Sequence, residues 1–338
     1  MPLKHKYNQY IVAPGGGTGA FTWWSGASLL NNPSKNTAIF GTWDSGGSSG
    51  ELRVNEGILP PGDYMQCLLA MMEDPMQRQE AILILRDRSS GHPIVNLLGA
   101  YSEKHHHGIQ GGINGLKTLF RVKGNIFPVS LTDIHLLSET KTGKKYSNEH
   151  EIDEIKDDPS FKELDKISRI YFDVKPEANP DALVAFKKAD KIVIPPGSPY
   201  TSIFPHLLVP GIANAILESK AKLIVVLNLM TTTGEDHHLN YASNWLKVFQ
   251  YYLGDFEYIK KNRKSRIQKL VVNQNHLTKE TLEIYKHKGQ TPIKVDEVRC
   301  LKQAPGIKII SKQVADYDKD ANLLRHDPVK LAEVVLSI

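Results

Sequence analysis

With 338 residues, of which 41% are hydrophobic and 23% charged, the chain can build a large packed core, and its composition excludes both a disordered and a fibrous protein. The formal net charge of +5 is spread thinly, and its one basic cluster, Lys260, Lys261, Arg263, Lys264 and Arg266, reads as a solvated helix end and not as a nucleic-acid surface. Cys67 and Cys300 cannot make a disulfide framework or a thiolate metal site, the start of the chain lacks the apolar stretch of an export signal, and no apolar run reaches membrane-spanning length, so a cytoplasmic, reducing setting is expected.

The chain opens as strand, loop, helix: residues 10–13 are apolar and β-branched, residues 14–17 break the strand, and residues 20–30 have helical composition. A second strand over 36–42 ends at Trp43-Asp44, and a glycine- and proline-rich stretch then runs to Gly62; a long loop of that kind inside a domain is usually functional. Helices follow through Leu69, Met72, Ile82 and Leu85, then over 94–101 and 112–122. Residues 126–129 and 134–138 read as strands, with a hairpin turn at Thr142-Gly143, and the charged segment 148–165 as a surface excursion. The second half alternates strands at 192–194, 223–227, 270–272 and 307–310 with helices at 180–188, 206–219 and 328–336. Continuous Val, Ile and Leu runs of this kind suit a parallel sheet buried on both faces. The expected fold is therefore α/β: a doubly wound, mostly parallel sheet with helices on both faces in three αβα layers. It forms one domain over 1–338, with a helical and hairpin excursion over 100–165.

Gly15-Gly16-Gly17-Thr18-Gly19-Ala20 fits the loose pattern GxGxxG/A directly after a strand and before a helix. There, glycine amides and a helix N-terminus can approach a phosphate, although a tight turn without ligand has the same sequence. Asp44 ends the second strand as the ribose-binding acid of a nicotinamide dehydrogenase would. Ser45-Gly46-Gly47-Ser48-Ser49-Gly50 follows at once, however, and makes a second loop of donors that a dehydrogenase does not need. The same residues formally contain GxSxG, but Trp43 to Ser45 separate them from the strand and no helix is expected directly after the serine, which argues against a hydrolase elbow.

Asp63, in Pro60-Pro61-Gly62-Asp63, stands at a helix start where it could cap. If it converges with Asp44 near a diphosphate, the two carboxylates could hold Mg²⁺. Gly197, Ser198, Thr201 and Ser202 follow a buried strand at the carboxyl edge of the sheet, where open α/β sheets bind ligands. Asn228 opens a third polar edge loop. His105, His106 and His107 form a solvated cluster rather than a metal tract.

Taken in order, these loops resemble the CofD/YvcK (UPF0052) family. The glycine loop at 15–19 is similar to the family's GGGTG, residues 44–50 to DDGGSSG, residues 60–63 to PPGD, Gly91-His92 with Asn96-Leu97 to GHxxGNL, residues 196–203 to GPGSLYTSI, and residues 228–235 to NxMTQPGET. Tyr285, Gly289, Pro292 and Arg325-His326-Asp327 are similar to its C-terminal pattern. Ser45 replaces the second aspartate of DDGGSSG, Val95 the glycine of GHxxGNL, Asp236 the threonine after Glu235, and Asn244-Trp245 an Asp-His pair.

The resemblance implies a Rossmann-like fold and a site for a nucleotide diphosphate or nucleotide sugar. The phosphates would lie on Gly15, Gly16, Gly17, Thr18, Gly19, Ser45, Gly46, Gly47, Ser48 and Ser49. Asn96, Gly197, Ser198, Thr201, Ser202 and Asn228 would line the site, with Tyr285 and Arg325 near the base or sugar. On the YvcK side, to which the serine-rich loop and the Arg-His-Asp ending are closer, it implies binding of a UDP-sugar such as UDP-N-acetylglucosamine and regulation of carbon flow to the cell wall. On the CofD side it implies transfer of a phospholactyl-like group from a guanosine-diphosphate-activated donor to the deazaflavin Fo, with Asp44 and Asp63 as catalytic and Mg²⁺-holding residues. Assembly into a homo-oligomer stays open.

Overall fold

The computed structural model describes residues 5–158, 165–274, 277–318 and 323–338. Seven strands build the central sheet: β1 (Ile11–Pro14), β2 (Asn36–Phe40), β3 (Asn125–Pro128), β4 (Lys191–Ile194), β5 (Lys222–Val226), β6 (Lys269–Asn273) and β7 (Lys308–Lys312). Their order is β7-β6-β5-β4-β1-β2-β3, and every neighbouring pair is parallel. The chain winds outward from β1 through β2 to β3, then returns to the other side of β1 and winds outward again, so the order reverses between β1 and β4. Loops leaving the carboxyl ends of β1 and β4 diverge there and leave a crevice, the place where open α/β sheets bind ligands.

Strand composition follows from this burial. β1, β2 and β4 are buried at every residue, whereas the edge strand β3 alternates buried and half-buried residues. Successive side chains of a strand point to opposite faces. Val12, Ile39, Ile192, Ile194, Leu223 and Val225 accordingly join Phe186, Ile216, Trp245 and Phe249 on one face. Ile11, Ala13, Ala38, Phe40, Val193 and Ile224 join Trp23, Trp24, Leu68, Leu331 and Val335 on the other. The result is the expected three-layer, doubly wound α/β fold, with each fully buried Ile, Leu or Phe contributing about 1.5–3 kcal/mol. Helix α1 (Gly17–Leu30) lies across the C-terminal helix Pro328–Ser337 at close range; a Cβ at Gly26 would come within 1.8 Å of the Pro328 carbonyl oxygen.

Several sequence expectations are corrected. The stretch between Asp44 and Gly62 is not all loop: α2 (Gly47–Glu56) occupies most of it, closed at its C-terminus by Gly57 in the left-handed region at φ 64°. The helix forms because Leu52 and Arg53 turn inward, and Arg53 donates to the Ile134 carbonyl at 2.7 Å. The single helix expected over 206–219 is two, Pro205–Leu208 and Ile212–Glu218, because Pro210 pushes Val209 out of helical conformation and Gly211 is left-handed at φ 90°.

The segment 100–165 supplies more than an excursion. It completes the helix Ile94–His105, adds the helix Ile109–Leu119 and contributes β3 to the main sheet before entering a three-stranded antiparallel sheet of Leu136–Thr140, Lys145–Tyr146 and Ile167–Phe172. Within the charged segment 148–165, of which 159–164 lie outside the described residues, Ile152 and Ile155 are fully buried. In the basic cluster, Arg266 is not solvated: it is 3% exposed and donates to the carbonyls of Ile216, Ser219 and Ala221 at 2.8–3.0 Å. His105, His106 and His107 are exposed, and both cysteines are buried and free. Among the described residues no single helix is long and apolar enough to cross a membrane.

Replacing Arg266 by Leu would strand three carbonyls that its guanidinium now satisfies, each unsatisfied buried acceptor costing about 1–3 kcal/mol. The expected outcome in urea unfolding is a loss of about 3 kcal/mol or more, while Lys261→Ala, at an exposed position, stays within about 0.5 kcal/mol of the parent.

Candidate functional site

Three helix N-termini meet at the crevice, those of α1, α2 and α3 (Gly62–Ala70). The N-cap positions of α1 and α2 are Gly16 and Gly46, which have no side chain to offer, and neither first turn contains an acidic residue. Hydrogen bonds from other segments join the three ends. The Gly17 N–H donates to Asp63 Oδ1 at 2.8 Å, the Gly62 N–H to Ser49 Oγ at 3.1 Å and the Gly46 N–H to Asp44 Oδ1 at 3.0 Å.

The glycine loop has specific steric reasons. A Cβ at Gly16 would lie 1.9 Å from Asp63 Oδ2, and one at Gly19 would lie 1.7 Å from the Pro196 carbonyl oxygen of the β4 loop. Gly15 bonds through its N–H to the Ile39 carbonyl at 2.9 Å. Gly17 and Gly47 are left-handed, at φ 61° and 44°, with open space where a side chain would stand, and Thr18 is exposed beside them. A pair of helix amide ends therefore borders open space, while three amides expected to face a phosphate, those of Gly15, Gly17 and Gly46, are already engaged by the Ile39 carbonyl, Asp63 and Asp44.

Asp44 and Asp63 do converge. Burial first, then the charge of Asp44, pushes Asp63 up to about 7. Asp44 is itself raised by burial, against the opposing pull of the Gly46 N–H and the Ser49 hydroxyl. Sequence reasoning missed two further acids, Glu149 and Asp153, both on the short helix α4 (Glu149–Asp153). Glu149 accepts from the Ser45 N–H at 3.3 Å; burial and the charges of Asp153 and Asp44 push it up to about 10. Asp153 Oδ1 accepts from the Thr201 hydroxyl at 2.9 Å. The available signal was Asn148, whose side chain caps α4 by accepting from the Glu151 N–H, followed by the apolar Ile152.

On the β4 side, Glu235 is fully buried; it accepts from the Tyr200 N–H at 3.1 Å and from the Ser198 hydroxyl, while its Oε2 has no partner among the described residues. Asp236 is also fully buried and is pushed up to about 7 by its burial. Next to these acids, a cavity of about 510 Å³ is lined by Asp153, Ser198, Thr232, Thr233 and Lys288.

The remaining expected residues fall into distinct environments. Ser48 Oγ lies 2.9 Å from His92 Nδ1 and accepts from Asn96 Nδ2 at 3.2 Å, and His92 Nε2 is 3.7 Å from Glu51 Oε2. The Ser–His pair forms on the first turn of α2, so a helix does carry the serine of GxSxG, but β2 ends at Phe40 and the abrupt strand-to-helix turn of a hydrolase elbow is missing. Asn228 is committed to the backbone, accepting from the Gly197 N–H and donating to the Gly197 carbonyl, both at 2.8 Å. Ser202 bonds through its N–H to the Ser198 carbonyl at 2.9 Å. The buried Tyr285 hydroxyl accepts from the Leu324 N–H at 2.7 Å, which fixes the strand Leu323–His326 and its exposed Arg325. Asn273, at the carboxyl end of β6, anchors the other strand of this hairpin through the N–H groups of Val314 and Ala315.

Among the described residues no group of three or more His, Cys, Asp or Glu side chains forms a ready cage for a metal ion. Asp44 and Asp63 nonetheless fit Mg²⁺, a hard cation that takes one or two carboxylates and completes its shell with water and phosphate. Bound there, it would supply positive charge that offsets their repulsion.

Fold and site together define a Rossmann-like α/β protein with its polar loops gathered at the switch point of the sheet. The chain belongs to the CofD family: the family model described as 2-phospho-L-lactate transferase CofD matches residues 11–315. It is 32% identical over 332 residues to the gluconeogenesis factor of Halalkalibacterium halodurans, covering 96% of this chain and 95% of that protein. It is 29% identical over 335 residues to the gluconeogenesis factor of Bacillus subtilis, covering 97% of each. A crystal structure of a UPF0052 family member from Bacillus halodurans superposes with a TM-score of 0.84 at 30% identity, covering 98% of this chain and all of that one.

Because the folded state holds Asp63 protonated up to about pH 7, it binds more protons than the unfolded chain between about pH 4 and 7, and stability falls as pH rises through that window. In EDTA the melting temperature of the wild type should drop from pH 5 to pH 8. Asp63→Asn, which keeps an acceptor for the Gly17 N–H, should melt higher than wild type at pH 8 and show a shallower pH dependence by scanning calorimetry.

Proposed function

We propose that the protein binds a nucleotide sugar of the UDP-N-acetylglucosamine class at the switch-point crevice and acts as a regulator of carbon flow to cell-wall precursors. The observation that supports this most strongly is the meeting of the α1, α2 and α3 N-termini around open space. Each helix end carries roughly half a positive charge, and backbone amides at such ends bind phosphate without side-chain cations. In this reading the diphosphate lies against Gly15, Gly16, Gly17, Thr18 and Gly19 on one side and Ser45, Gly46, Gly47, Ser48 and Ser49 on the other. Asn96 holds Ser48 in place, while Ser198, Thr201 and Ser202 border the ligand from β4. Gly197 and Asn228 keep that loop rigid, and Tyr285 positions Arg325 for the base or sugar. The names of the relatives and the cytoplasmic setting expected from the sequence agree with a metabolic regulator.

A second reading, a CofD-type transferase moving a phospholactyl-like group from a guanosine-diphosphate-activated donor to the deazaflavin Fo, is favoured by the Asp44 and Asp63 pair. Two carboxylates beside a diphosphate repel it unless Mg²⁺ intervenes. In that reading the acids orient the donor, the amide ends stabilise the departing diphosphate, and no covalent enzyme nucleophile is needed.

UDP-N-acetylglucosamine at about 100 times its Kd should stabilise the protein by roughly 2.7 kcal/mol in thermal melts; stabilisation by GDP alone would move the assignment to the transferase. Arg325→Ala should weaken nucleotide-sugar binding by about 1.5–3 kcal/mol in calorimetry without unfolding the chain. Asp44→Asn separates the two readings. It abolishes Mg²⁺-dependent transfer to Fo if the protein is a transferase, and it changes UDP-sugar affinity equally in Mg²⁺ and in EDTA if the protein only binds.

A further inference from the structure

Behind the β4 loop lies a second cavity, of about 420 Å³, whose charge is opposite to that of the crevice. Lys141, Lys166 and Lys247 line it, together with Tyr251, Tyr252 and Phe256. The lysines come from three separate elements. Lys141 follows the strand Leu136–Thr140, Lys166 precedes Ile167–Phe172, and Lys247 lies on the helix Ala242–Leu253. A hydrogen bond of 2.9 Å from the Lys141 N–H to the Lys166 carbonyl ties the first two together.

Among the described residues no Asp or Glu forms an ion pair with any of these three ammonium groups. Asp165, the nearest acid in sequence, is buried and already bonded to the Thr142 hydroxyl at 2.5 Å and the Lys166 N–H at 2.9 Å. Partial burial first, then the charge and side-chain hydrogen bond of Lys141 and the charge of Lys247, hold the Lys166 ammonium below its usual range, as like charges gathered at one cavity repel one another. Lys166 and Lys141 also depress His238 at the inner end of the cavity, to about 3, after burial itself.

The aromatic residues complete the picture. Lys247 and Tyr251 stand one helical turn apart, on the same face. Tyr252 has its hydroxyl engaged by the Ile170 N–H at 3.1 Å, whereas Tyr251 is 67% exposed and meets Tyr252 edge-on at 5.2 Å. Exposed aromatic rings beside ammonium groups with no acidic ion-pair partner among the described residues present a face for a planar ring and charges for an anion, in a volume typical of small-molecule sites. Tyr200 forms the partition. Its hydroxyl lies 3.0 Å from His238 Nε2 on the cavity side, and its N–H holds Glu235 on the crevice side.

We propose that this cavity is a second ligand site, distinct from the crevice, for a small phosphorylated compound with a flat aromatic body. Lys141, Lys166 and Lys247 hold the phosphate and Tyr251 covers the ring. The full chain is titrated with 4-methylumbelliferyl phosphate by fluorescence anisotropy, with 4-methylumbelliferone and inorganic phosphate as the two half-ligands. Saturable binding is expected that weakens with added salt, exceeds that of either half-ligand by about tenfold or more, and falls by about tenfold or more in Lys141→Gln/Lys247→Gln, as expected where charge-assisted bonds are lost. Both lysines are exposed, so this variant should melt as the parent does; Tyr251→Ala, at a position equally open, should lower affinity for the aryl phosphate but not for inorganic phosphate. Unchanged affinity in the double lysine variant would overturn the site. So would aryl phosphate binding no tighter than inorganic phosphate, or displacement of the aryl phosphate by UDP-N-acetylglucosamine. If UDP-N-acetylglucosamine itself fails to bind while the aryl phosphate binds as described, the reading of the crevice fails and this one stands.

Discussion

The hydrogen bond from the Gly17 N–H to Asp63 sets the geometry of the whole switch-point edge. It places a carboxylate, carried by the first turn of α3, against the amide end of α1, and so fixes where two helices begin relative to each other. Gly16 has to be glycine for that contact, because Asp63 Oδ2 occupies the space a Cβ would need. Gly19 has to be glycine for the complementary reason on the other side, where Pro196 presses against α1. The glycine loop is thus tight first and open second: most of its glycines are explained by protein atoms, and Gly17 alone by left-handed backbone facing open space.

From this constraint follows the charge balance of the crevice. Three helix N-termini would by themselves make a strongly anion-seeking pocket. The chain answers with Asp44, Asp63 and Glu149, each bonded to a backbone N–H at the crevice. Such bonds favour the ionised form, yet burial and mutual repulsion win at Asp63 and Glu149, whose pKa values lie at about 7 and about 10. In the reading proposed above, the same acids that would oppose a bare diphosphate would favour one that arrives with Mg²⁺.

The fold was legible in the sequence because the parallel strands carry unbroken Val, Ile and Leu runs and the helices between them have ordinary lengths. The glycine loop and the β4 loop were legible because each sits directly after a strand, Asp44 because it closely follows the second strand, and Asp63 because it opens a helix after Pro60-Pro61-Gly62. Other features were hidden for physical reasons. Helix α2 was masked by Gly46-Gly47 and two serines at its start, which read as loop, while its inward residues, Leu52 and Arg53, are too few to show a helical period. Glu149 and Asp153 lie in a charged segment whose local chemistry is that of a surface; only Ile152 and Ile155, buried by tertiary packing, tie it down. The roles of Asn228 and Tyr285 could not be read at all, since a polar side chain that bonds a distant backbone looks in sequence like one that bonds a ligand.

That last ambiguity bears on how the crevice is held. Asn228 binds both the N–H and the carbonyl of Gly197, Tyr200 gives its N–H to Glu235, and the Trp43 indole N–H bonds the Thr201 carbonyl at 2.7 Å. The loop after β4 is consequently fixed from β5 on one side and from the β2 loop on the other. A loop pinned at three successive points loses little further entropy when a ligand arrives, so the backbone groups that remain free are already ordered. Ser198, Thr201 and the acids they contact then act as one rigid wall. The opposite wall, at Gly17 and Gly47, is left-handed glycine backbone bordered by open space, with the Gly17 N–H held by Asp63, so in the proposed reading a ligand would meet bare backbone on the β1 and β2 side and fixed hydroxyls on the β4 side. In that reading a flexible diphosphate, whose oxygens can turn toward whichever groups present themselves, would suit the first wall, and the more rigid group attached to it the second.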